Sequence, residues 1–258
     1  MHIADMFDLS GKAVIVTGGS GGIGAGIALR FAEAGAKVVV AYHTGHDAAV
    51  RITEEITQPG RQAIAIQADV TTKTGAVKLI SGCIEVFGQI DVLVNNAGAY
   101  PMASLLEMTE AEWDAMLDAN LRSVFLCTQA AAGRMIKRGV GGAIVNIASI
   151  EAENPAPMHA HYCSAKAGVV MLTQASAAEL GRYGIRVNCV SPGLIWRDGI
   201  ENAWPEGVER WKAAAPLARL GTPEDVGNAC LFFASDAAGW ITGANLRVDG
   251  GVMTHQVF

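Results

Sequence analysis

The stretch Ala13-Val14-Ile15-Val16-Thr17-Gly18-Gly19-Ser20-Gly21-Gly22-Ile23-Gly24 decides the fold of this chain. Its apolar first part is typical of a buried strand, and apolar residues at helical spacing (Ile27, Ala28, Phe31 and Ala34) follow the glycines. Glycines permit tight turns, and the N-terminus of a helix attracts negative charge. Strand, turn and helix in this order therefore predict a site for the pyrophosphate of a dinucleotide. A flexible glycine-rich hairpin fits poorly, because the helical spacing begins at once.

Outside this stretch, short apolar bursts alternate with helical patterns along the chain. The predicted strands are Ala13 to Val16, Val38 to Ala41, Ala63 to Ile66, Val92 to Val94, Ala143 to Ile147, Val187 to Val190 and Leu246 to Val248. The predicted helices are Gly22 to Ala34, Asp47 to Thr57, Thr74 to Phe87, Glu110 to Arg138, Tyr162 to Arg182 and Pro223 to Ala234. This alternation predicts an α/β fold, a doubly wound parallel seven-stranded sheet of the Rossmann type with helices on both faces. Because no linker interrupts it, residues 1–258 are expected to form a single dinucleotide-binding catalytic domain.

Composition narrows the class of protein. Hydrophobic residues make up 51% of the 258 and charged residues 17%, which suits a sheet covered on both faces and excludes a disordered chain. The formal net charge is −6 and no basic run is present, so neither nucleic acid nor an anionic membrane is expected as a main partner. The first residues carry no apolar signal core, and no run of about eighteen apolar residues occurs, so we expect a cytoplasmic protein without membrane contact.

The cysteines are widely spaced and form no CxxC pair. They indicate reduced cytosolic thiols rather than a disulfide or zinc framework. No histidine groups with cysteines or carboxylates at zinc-ligand spacing, so no bound metal is expected.

A tyrosine and a lysine, Tyr162 and Lys166, stand four residues apart, and Ser149 lies thirteen residues before the tyrosine. On a helix such a pair shares one face, so the Lys166 ammonium would favour the ionised form of the Tyr162 phenol. We therefore expect the Tyr162 pKa to fall from its usual value of about 10, which would make the phenol an acid and base nearer neutral pH. The spacing alone is also that of an ordinary surface ridge, and only the accompanying motifs favour catalysis.

The end of the second predicted strand should decide between the two nicotinamide dinucleotides. An acid there would bind the ribose 2′-hydroxyl of NAD, but the chain reads Tyr42-His43-Thr44 without a carboxylate. Asp47 lies near, yet it is expected to cap the following helix. No Arg or Lys is placed to hold a 2′-phosphate. On balance the sequence favours NADP(H) over NAD(H).

Together these features resemble the short-chain dehydrogenase/reductase family, in its compact single-domain branch, over essentially the whole chain. The matching motifs are the turn Thr17 to Gly24, Asp69-Val70, Asn95-Asn96-Ala97-Gly98, Asn120, Ser149, Tyr162, Lys166, Pro192-Gly193 and Val248-Asp249-Gly250-Gly251. Several ordered motifs are far more specific than any one of them. The resemblance implies an NAD(P)-dependent oxidoreductase that transfers a hydride between nicotinamide and a carbonyl or secondary alcohol of a small-molecule substrate.

The resemblance also implies four catalytic residues, Asn120, Ser149, Tyr162 and Lys166. Tyr162 would exchange a proton with the substrate oxygen as general acid and base, and Ser149 would hold that oxygen by a hydrogen bond. Lys166 would also grip the nicotinamide ribose, and Asn120 would help a water chain reach Lys166. Taken singly, Ser149 could instead form a turn at a strand end, and Asn120 could merely bend its helix.

The glycine turn and the resemblance together predict the cofactor-binding residues. Asp69 and Val70 would contact the adenine, and Asn96 to Gly98 the ribose region. Pro192 and the backbone near Ile195 would contact the nicotinamide amide. The full predicted set is Gly18, Ser20, Gly22, Ile23, Gly24, Tyr42, His43, Asp69, Val70, Asn96, Ala97, Gly98, Tyr162, Lys166, Pro192, Gly193 and Ile195.

The segment Leu194 to Leu217 interrupts the alternation and is expected to form a lid or substrate loop. It carries three tryptophans, Trp196, Trp204 and Trp211. Shortly after Pro192-Gly193 the family carries a threonine that bonds the cofactor, whereas this chain has Arg197. Arg197 could clamp a phosphate or a carboxylate, or pair with Asp198 or Glu201.

Polar residues near Ser149 and Tyr162 could face the substrate. They are Glu151, Glu153, Asn154, His159 and His161. The two acids and the amide could read a polyhydroxyl compound. Each of the five could equally be an ordinary solvated loop residue.

The substrate stays open at this point. The scaffold resembles that of 3-oxoacyl-carrier-protein reductases, but a fatty-acid role would favour a basic entrance for the acidic carrier protein, and this acidic chain has no obvious one. A sugar, polyol or small cyclic alcohol dehydrogenase is the main alternative. A non-catalytic cofactor-binding regulator is another, although Ser149, Tyr162 and Lys166 are all present.

Two predicted helical stretches, Leu121 to Met135 and Ala165 to Ala178, are apolar or small on nearly every face. A helix that covers a sheet on one side only should show a polar stripe opposite. We therefore expect the second face to be buried against another subunit, in a homotetramer or a dimer. Cover by the chain's own C-terminal segment is the alternative.

Overall fold

Seven strands form one parallel sheet in the order β3-β2-β1-β4-β5-β6-β7 in the computed structural model, which describes residues 5–254. The strands are β1 (Ala13–Thr17), β2 (Lys37–Tyr42), β3 (Ala63–Gln67), β4 (Val92–Asn95), β5 (Gly142–Ile147), β6 (Ile185–Pro192) and β7 (Asn245–Val248). Each overlaps a predicted strand, so the predicted sheet is confirmed. Residues 1–4, where no signal core is expected, and residues 255–258 lie outside the described part of the chain. The strand order reverses between β1 and β4, the position at which open α/β sheets bind their ligands.

Helices cover both faces of the sheet, as predicted. They are α1 (Gly22–Glu33), α2 (His46–Thr57), α3 (Lys73–Phe87), α4 (Glu110–Leu117), α5 (Ser123–Arg138), α6 (Ala160–Leu180), α7 (Ile200–Ala203), α8 (Pro205–Ala214) and α9 (Pro223–Ala234). One core forms where α1, α2 and α9 pack on the sheet, and the other where α3, α5 and α6 pack on the opposite face.

Strand β1 explains why the sheet needs both layers. All five of its residues are buried. Val14 and Val16 belong to the core with α1 and α9, whereas Ala13 and Ile15 belong to the core with α3 and α5. Since side chains alternate between the faces of a strand, burial on both faces gives a continuous apolar run in the sequence.

The predicted single helix from Glu110 to Arg138 is wrong in one respect, because the structure divides it. A π-helical turn, Asp118–Arg122, separates α4 from α5. Within it the Asn120 side-chain amide donates to the backbone carbonyl of Met116 at 3.1 Å, so a side chain competes for an acceptor of the helical ladder. Such turns are frequent at functional sites, and no apolar spacing announces them.

Two other helix starts differ from prediction. Helix α2 begins at His46 and is preceded by Gly45, so Asp47 is not its cap. The Asp47 carboxylate instead lies 3.0 Å from the ring nitrogen Nδ1 of His46. Helix α6 begins at Ala160, which places Tyr162 inside its first turn rather than at its start.

The predicted lid, Leu194 to Leu217, carries the short helices α7 and α8 rather than a simple loop. Its apolar residues pack into a small core formed by Leu194, Ile200, Val208, Trp211 and Leu220. A Cβ built on Gly193 would lie 2.6 Å from the Trp211 ring, so this tryptophan is a packing residue. Trp196 and Trp204 are 43% and 49% exposed, and the Trp204 ring packs against Gly207 with the Arg210 guanidinium 6.0 Å from its centroid.

The cysteines are all free, and four of them are buried. Within residues 5–254, no group of three or more His, Cys, Asp or Glu side chains is arranged to hold a metal ion. None of the helices in that range is both long and apolar enough to cross a membrane.

Candidate active site

The carboxyl ends of the parallel strands bring the predicted site residues to one edge of the sheet. Thr17 ends β1, Asn95 ends β4 and Pro192 ends β6, while Ser149 lies two residues beyond β5. Tyr162 lies in the first turn of the following helix, α6. Because all βα units run in the same direction, residues far apart in the sequence meet at this edge.

The glycine turn between β1 and α1 is shaped by close backbone approach. Gly18 and Gly22 have φ angles of 64° and 51°, which residues with a side chain rarely adopt. A Cβ on Gly24 would collide with the carbonyl oxygen of Gly18. At Gly21, by contrast, a Cβ would meet nothing within 4 Å. The turn is therefore tight toward the sheet and open on its other side.

The first turn of α1 suits an anion. The helix begins at Gly22 with no side-chain cap and no acid in its first turn, so its first N–H groups have no partner from a capping side chain. The helix dipole favours negative charge at the same end. With the open side of the turn, this end fits the pyrophosphate of a dinucleotide. The predicted residues Ser20 and Ile23 lie in the same segment.

Sequence reasoning missed a contact that joins this turn to the loop after β4. The Thr17 hydroxyl oxygen accepts hydrogen bonds from the backbone N–H groups of Asn96 and Ala97 at 2.9 and 3.0 Å. In return, the Asn96 amide donates to the carbonyl oxygens of Thr17 and Gly18 at 2.9 and 3.2 Å. The two loops therefore form one unit. The signal was available, because a hydroxyl that ends a buried strand needs a partner.

A buried polar network beneath these loops also escaped prediction. The Asn95 amide donates to Thr128 at 3.1 Å and to Asn146 at 2.8 Å, and the Asn146 amide donates to Thr173 at 2.9 Å. All four residues are buried. The network ties β4 and β5 to α5 and α6, the helix that carries Tyr162.

The loop after β2, predicted to meet the adenosine, lies beside the glycine turn. A Cβ on Gly45 would lie 3.2 Å from Ser20 Oγ. Tyr42 is buried, with its ring edge-on to that of His46 at 5.7 Å between centroids, and His43 is exposed.

Asp69 and Val70, the predicted adenine contacts, follow β3. The Asp69 carboxylate accepts hydrogen bonds from the hydroxyl and the backbone N–H of Thr71 at 2.6 and 3.0 Å. These bonds hold the pKa of Asp69 below its usual value. The carboxylate is therefore ionised and fixed in orientation, and Val70 beside it is 9% exposed.

Ser149 and Tyr162 meet where the turn after β5 approaches α6. Ser149 is 9% exposed, and its hydroxyl oxygen accepts the backbone N–H of Glu151 at 3.1 Å. Burial raises the pKa of the Tyr162 phenol to about 12; the hydrogen bond with Ser149 opposes this rise and the Glu151 charge adds to it. The expectation that Lys166 lowers the Tyr162 pKa is therefore wrong for the chain by itself.

The position of Lys166 explains the difference. Its Nζ donates to the carbonyl oxygen of Ile147 at 2.9 Å and lies 5.5 Å from the centroid of the Tyr162 ring. Lys166 is 5% exposed, and burial lowers its pKa to about 8. Desolvation is the largest cause of both pKa shifts, and neither residue contributes to the shift of the other.

Asn120 has one satisfied end and one unsatisfied end. Its Nδ2 donates to the carbonyl oxygens of Ala99 and Met116, whereas its Oδ1 is buried and finds no partner among residues 5–254. A Cβ on Gly98 would lie 2.5 Å from that Oδ1 and 3.7 Å from Lys166 Nζ. An unpaired buried acceptor costs roughly 1–3 kcal/mol. Helix bending alone therefore does not account for Asn120.

Two of the five polar residues near the site bond each other. His159 Nδ1 lies 2.8 Å from a carboxylate oxygen of Glu151. The His159 ring lies edge-on to Tyr162 at 5.9 Å between centroids. Neither residue is simply solvated loop surface, because their side chains are 16% and 24% exposed.

The other three lie elsewhere. Glu153 forms an ion pair with Arg247 on β7 and accepts a hydrogen bond from Asn245, so its contacts are structural. His161 is 1% exposed and is not a solvated loop histidine. Asn154 is exposed.

Arg197 makes neither of the expected structural contacts. Its guanidinium lies 5.3 Å from the centroid of the Tyr100 ring, which connects the lid to the loop after β4. Within residues 5–254 no ion pair joins it to Asp198 or Glu201, and Glu201 lies near Lys212 instead. Before the lid, the Gly193 N–H donates to the carbonyl oxygen of Val248 at 3.0 Å.

Ile195, the predicted neighbour of the nicotinamide amide, is 9% exposed. It forms a short parallel bridge with Gly221, which fixes the backbone just after Pro192 and Gly193. The three residues therefore continue the edge formed by β6.

Known proteins resemble this chain over nearly its whole length. The sequence family described as enoyl-(acyl carrier protein) reductase matches residues 18–253. An L-rhamnose 1-dehydrogenase (NAD(P)(+)) from Azotobacter vinelandii is 42% identical over 250 residues, which cover 95% of this chain and 97% of the relative. A 3-oxoacyl-[acyl-carrier-protein] reductase from Staphylococcus aureus is 41% identical over 241 residues, which cover 93% of this chain and 98% of the relative.

Solved structures agree with the sequence relatives. A short-chain type dehydrogenase/reductase from Mycobacterium marinum superposes with a TM-score of 0.93 at 39% identity, covering 98% of this chain and 100% of that one. A 7α-hydroxysteroid dehydrogenase complexed with NADH and 7-oxo glycochenodeoxycholic acid gives a TM-score of 0.92 at 38% identity, covering 97% and 98%. The chain therefore belongs to the short-chain dehydrogenase/reductase family of oxidoreductases, which act on CH–OH or carbonyl groups.

Proposed function

We propose that this chain is an NAD(P)-dependent oxidoreductase in which Tyr162 exchanges a proton with the oxygen of a small-molecule carbonyl or secondary alcohol. The observation that carries the proposal is the meeting of Tyr162, the Ser149 hydroxyl and the Lys166 ammonium where β5 ends and α6 begins. Lys166 is 5% exposed and has no carboxylate partner among residues 5–254, which is costly, and packing alone gives no reason for it.

The chain's own residues handle the substrate oxygen. Nicotinamide, when bound at this edge, supplies or accepts the hydride. Ser149 Oγ donates a hydrogen bond to the substrate oxygen as charge develops on it. Tyr162 donates its phenolic proton in reduction and takes a proton back in oxidation. Burial favours the protonated phenol, the form that reduction needs.

Lys166 and Asn120 are proposed to renew that proton. A lysine with a pKa of about 8 passes readily between its charged and neutral forms near neutral pH. The buried Asn120 Oδ1 has no protein partner among the described residues and can accept a hydrogen bond from a water that also meets Lys166.

The cofactor is proposed to lie along the strand ends, from the glycine turn to Ile195. The turn and the start of α1 would hold the pyrophosphate, Tyr42 and His43 the adenosine ribose, and Asp69 with Val70 the adenine. The hydrogen bonds between Thr17 and Asn96 support this placement, because they hold the loops after β1 and β4 together at the strand ends.

NADP(H) is proposed as the preferred cofactor. No carboxylate ends β2, the exposed His43 lies there, and Asp47 points to His46 on the first turn of α2. We expect kcat/KM with NADPH to exceed that with NADH, and the affinities measured by nucleotide fluorescence to follow the same order. Equal or greater efficiency with NADH would contradict the preference.

A homo-oligomer, a tetramer or a dimer, is proposed from two apolar side chains. Phe125 on α5 and Met171 on α6 are 45% and 63% exposed, so residues 5–254 of the same chain do not cover them. Sedimentation equilibrium tests the oligomeric state, and a monomer at micromolar concentration would exclude the homo-oligomer. We also propose that the chain forms a single domain and is located in the cytoplasm.

Two substrate classes follow from the relatives, a sugar or polyol and a 3-oxoacyl thioester. An absorbance assay of cofactor oxidation across ketones, sugars and acyl thioesters, with NADPH and NADH compared, tests the proposal. Oxidation that depends on a carbonyl substrate supports it. No turnover on any class with either cofactor would refute it.

A further inference from the structure

A carboxylate beside the Tyr162 phenol is held in place by two other side chains. The Glu151 oxygen Oε2 lies 2.8 Å from His159 Nδ1 and accepts a weaker hydrogen bond from Cys163 Sγ at 3.5 Å. A carboxylate oxygen accepts hydrogen bonds, so His159 Nδ1 acts as the donor in this contact. The His159 ring in turn packs edge-on against Tyr162. The carboxylate is thus fixed relative to the phenol.

The backbone contributes to the same arrangement. The Glu151 N–H donates to Ser149 Oγ at 3.1 Å. The backbone of Glu151 is therefore tied to the residue proposed to hold the substrate oxygen. His159 follows Met158, whose φ of 66° is rare for a residue with a side chain. The Met158 carbonyl oxygen accepts the N–H of Ala103 at 3.0 Å, which anchors the strained turn to the loop after β4. Strain of this kind persists only where the surroundings impose it.

The second carboxylate oxygen of Glu151, Oε1, is the group left for a ligand. None of the residues from 5 to 254 bonds it, and the side chain is 24% exposed. No Lys or Arg in that range pairs with Glu151, whose one ion-pair partner there is His159. An open carboxylate oxygen accepts from hydroxyl groups and repels anions.

We propose that Glu151 binds a hydroxyl group of the substrate close to its reacting carbon, that His159 positions Glu151, and that the substrate is therefore a neutral polyhydroxyl compound, a sugar or a polyol. A 3-oxoacyl thioester offers no hydroxyl at this place. A site built to bond a hydroxyl discriminates strongly against analogues that lack it. This inference rests on the proposed function, because it assigns the substrate class of the same site.

The test compares 2-hydroxycyclohexanone with cyclohexanone, two ketones that differ by one hydroxyl next to the carbonyl. The parent protein with NADPH is expected to prefer the hydroxyketone in kcat/KM by about tenfold to a hundredfold. Glu151→Gln is expected to reduce this preference at least about tenfold, mainly through KM. His159→Leu should reduce it similarly, and His159→Gln, which can still donate to the carboxylate, should restore part of it.

Glu153→Gln is the matched control. It removes a carboxylate charge two residues after Glu151, and this carboxylate is already bonded by Arg247 and Asn245 of β7. It should leave the preference unchanged. Melting temperature and NADPH binding show whether each variant is folded. A parent without preference, an equal loss on both ketones in Glu151→Gln, or an equal effect of Glu153→Gln overturns the inference. If one of these results occurs while the parent still reduces cyclohexanone, the inference fails and the proposed function stands. If the parent reduces none of the ketones, sugars and acyl thioesters, the proposed function itself fails.

Discussion

The carboxyl ends of the strands form a cofactor side, around the glycine turn and Asn96, and a substrate side, around Ser149 and Tyr162. These two sides are built differently. On the cofactor side, Thr17 and Asn96 satisfy each other's polar groups and glycines allow the backbones to touch. On the substrate side, His159 Nε2 is buried without a partner among the described residues, and Met158 has a strained backbone. Apart from the first N–H groups of α1, which can bond a pyrophosphate, the cofactor side satisfies its polar groups within the chain. The substrate side keeps polar groups near the reacting atoms that only a ligand can bond.

This difference follows from what each side must recognise. A dinucleotide is the same molecule in every turnover, so backbone atoms and glycines can be fixed around it. A substrate surface must present free donors and acceptors near the reacting atoms, and such groups are costly until they are bonded. Stability should therefore depend mainly on the cofactor side, and turnover mainly on the substrate side.

The largest effect is expected from Tyr162→Phe, which removes one oxygen from the substrate side. Without the phenolic proton, turnover should fall about a thousandfold or more. NADPH affinity, measured by fluorescence titration, should stay within about threefold, because the glycine turn is untouched. Tyr183→Phe is the control, since the Tyr183 hydroxyl bonds only the exposed Arg182 among described residues. Turnover within tenfold of the parent would refute the role of Tyr162.

Gly24→Ala should show the opposite pattern, with a large loss of stability. The new Cβ would collide with the carbonyl oxygen of Gly18 and lie 2.6 Å from the Asn96 amide nitrogen. The free energy of unfolding without cofactor should fall by about 2–4 kcal/mol, as in an overpacked core. Urea denaturation measures it. Gly21→Ala, where a Cβ meets nothing within 4 Å, should change it by less than about 1 kcal/mol. Equal effects would show that backbone contact does not shape the turn.

The sequence predicted most of the fold, because burial on both faces leaves continuous apolar runs. All strands were expected within a few residues of their observed bounds, including the run that ends at Thr17. The interruption at Asn120 was not predicted as a separate turn, because a side-chain bond to Met116 leaves no trace in apolar spacing. Asp47 was predicted to cap α2 but lies two positions after the observed cap, Gly45, and its polar character fits a cap and a first helical turn equally.

The candidate site was predictable where a motif marks it and unpredictable where contacts cross the chain. Ser149, Tyr162 and Lys166 were expected from their spacing and family likeness, and the structure brings them together. The pKa of Tyr162 was predicted in the wrong direction, because sequence shows a neighbouring charge but not the burial that outweighs it. The bond between Glu151 and His159 depends on the strained turn and could not be read from spacing.

Lys166→Met tests how much the buried charge on the substrate side lowers the free energy of unfolding. Burial lowers the Lys166 pKa to about 8 from 10.5, so at pH 7 the native state holds a charge it disfavours. Removing the charge should abolish turnover and raise the free energy of unfolding by about 1–3 kcal/mol at pH 7. Lys78→Met on the exposed face of α3 is the control and should change it by less than about 1 kcal/mol.

The pH dependence of that gain has a definite sign. Between pH 8 and 10.5 the unfolded chain binds the Lys166 proton and the native protein does not, so parent stability rises with pH across this window. The gain from Lys166→Met should therefore be full below pH 8 and vanish above 10.5. Denaturation curves at several pH values measure it. A gain that stays constant with pH would mean that packing, not charge, causes it.

The smallest effect is expected from Glu151→Gln on the pH dependence of reduction. Burial is the main reason for the high pKa of Tyr162, and the hydrogen bond with Ser149 opposes this rise. The charges of Glu151 and Cys163 raise the pKa further. Removing the Glu151 charge should therefore lower the Tyr162 pKa. Since reduction needs the protonated phenol, the alkaline limb of the kcat profile should move to lower pH. Ultraviolet titration of the phenolate, with Tyr162→Phe as the blank, checks the same shift without turnover. Glu153→Gln, whose carboxylate faces Arg247, should leave the limb in place. A limb that moves to higher pH in Glu151→Gln would mean that the carboxylate does not act on the phenol through its charge.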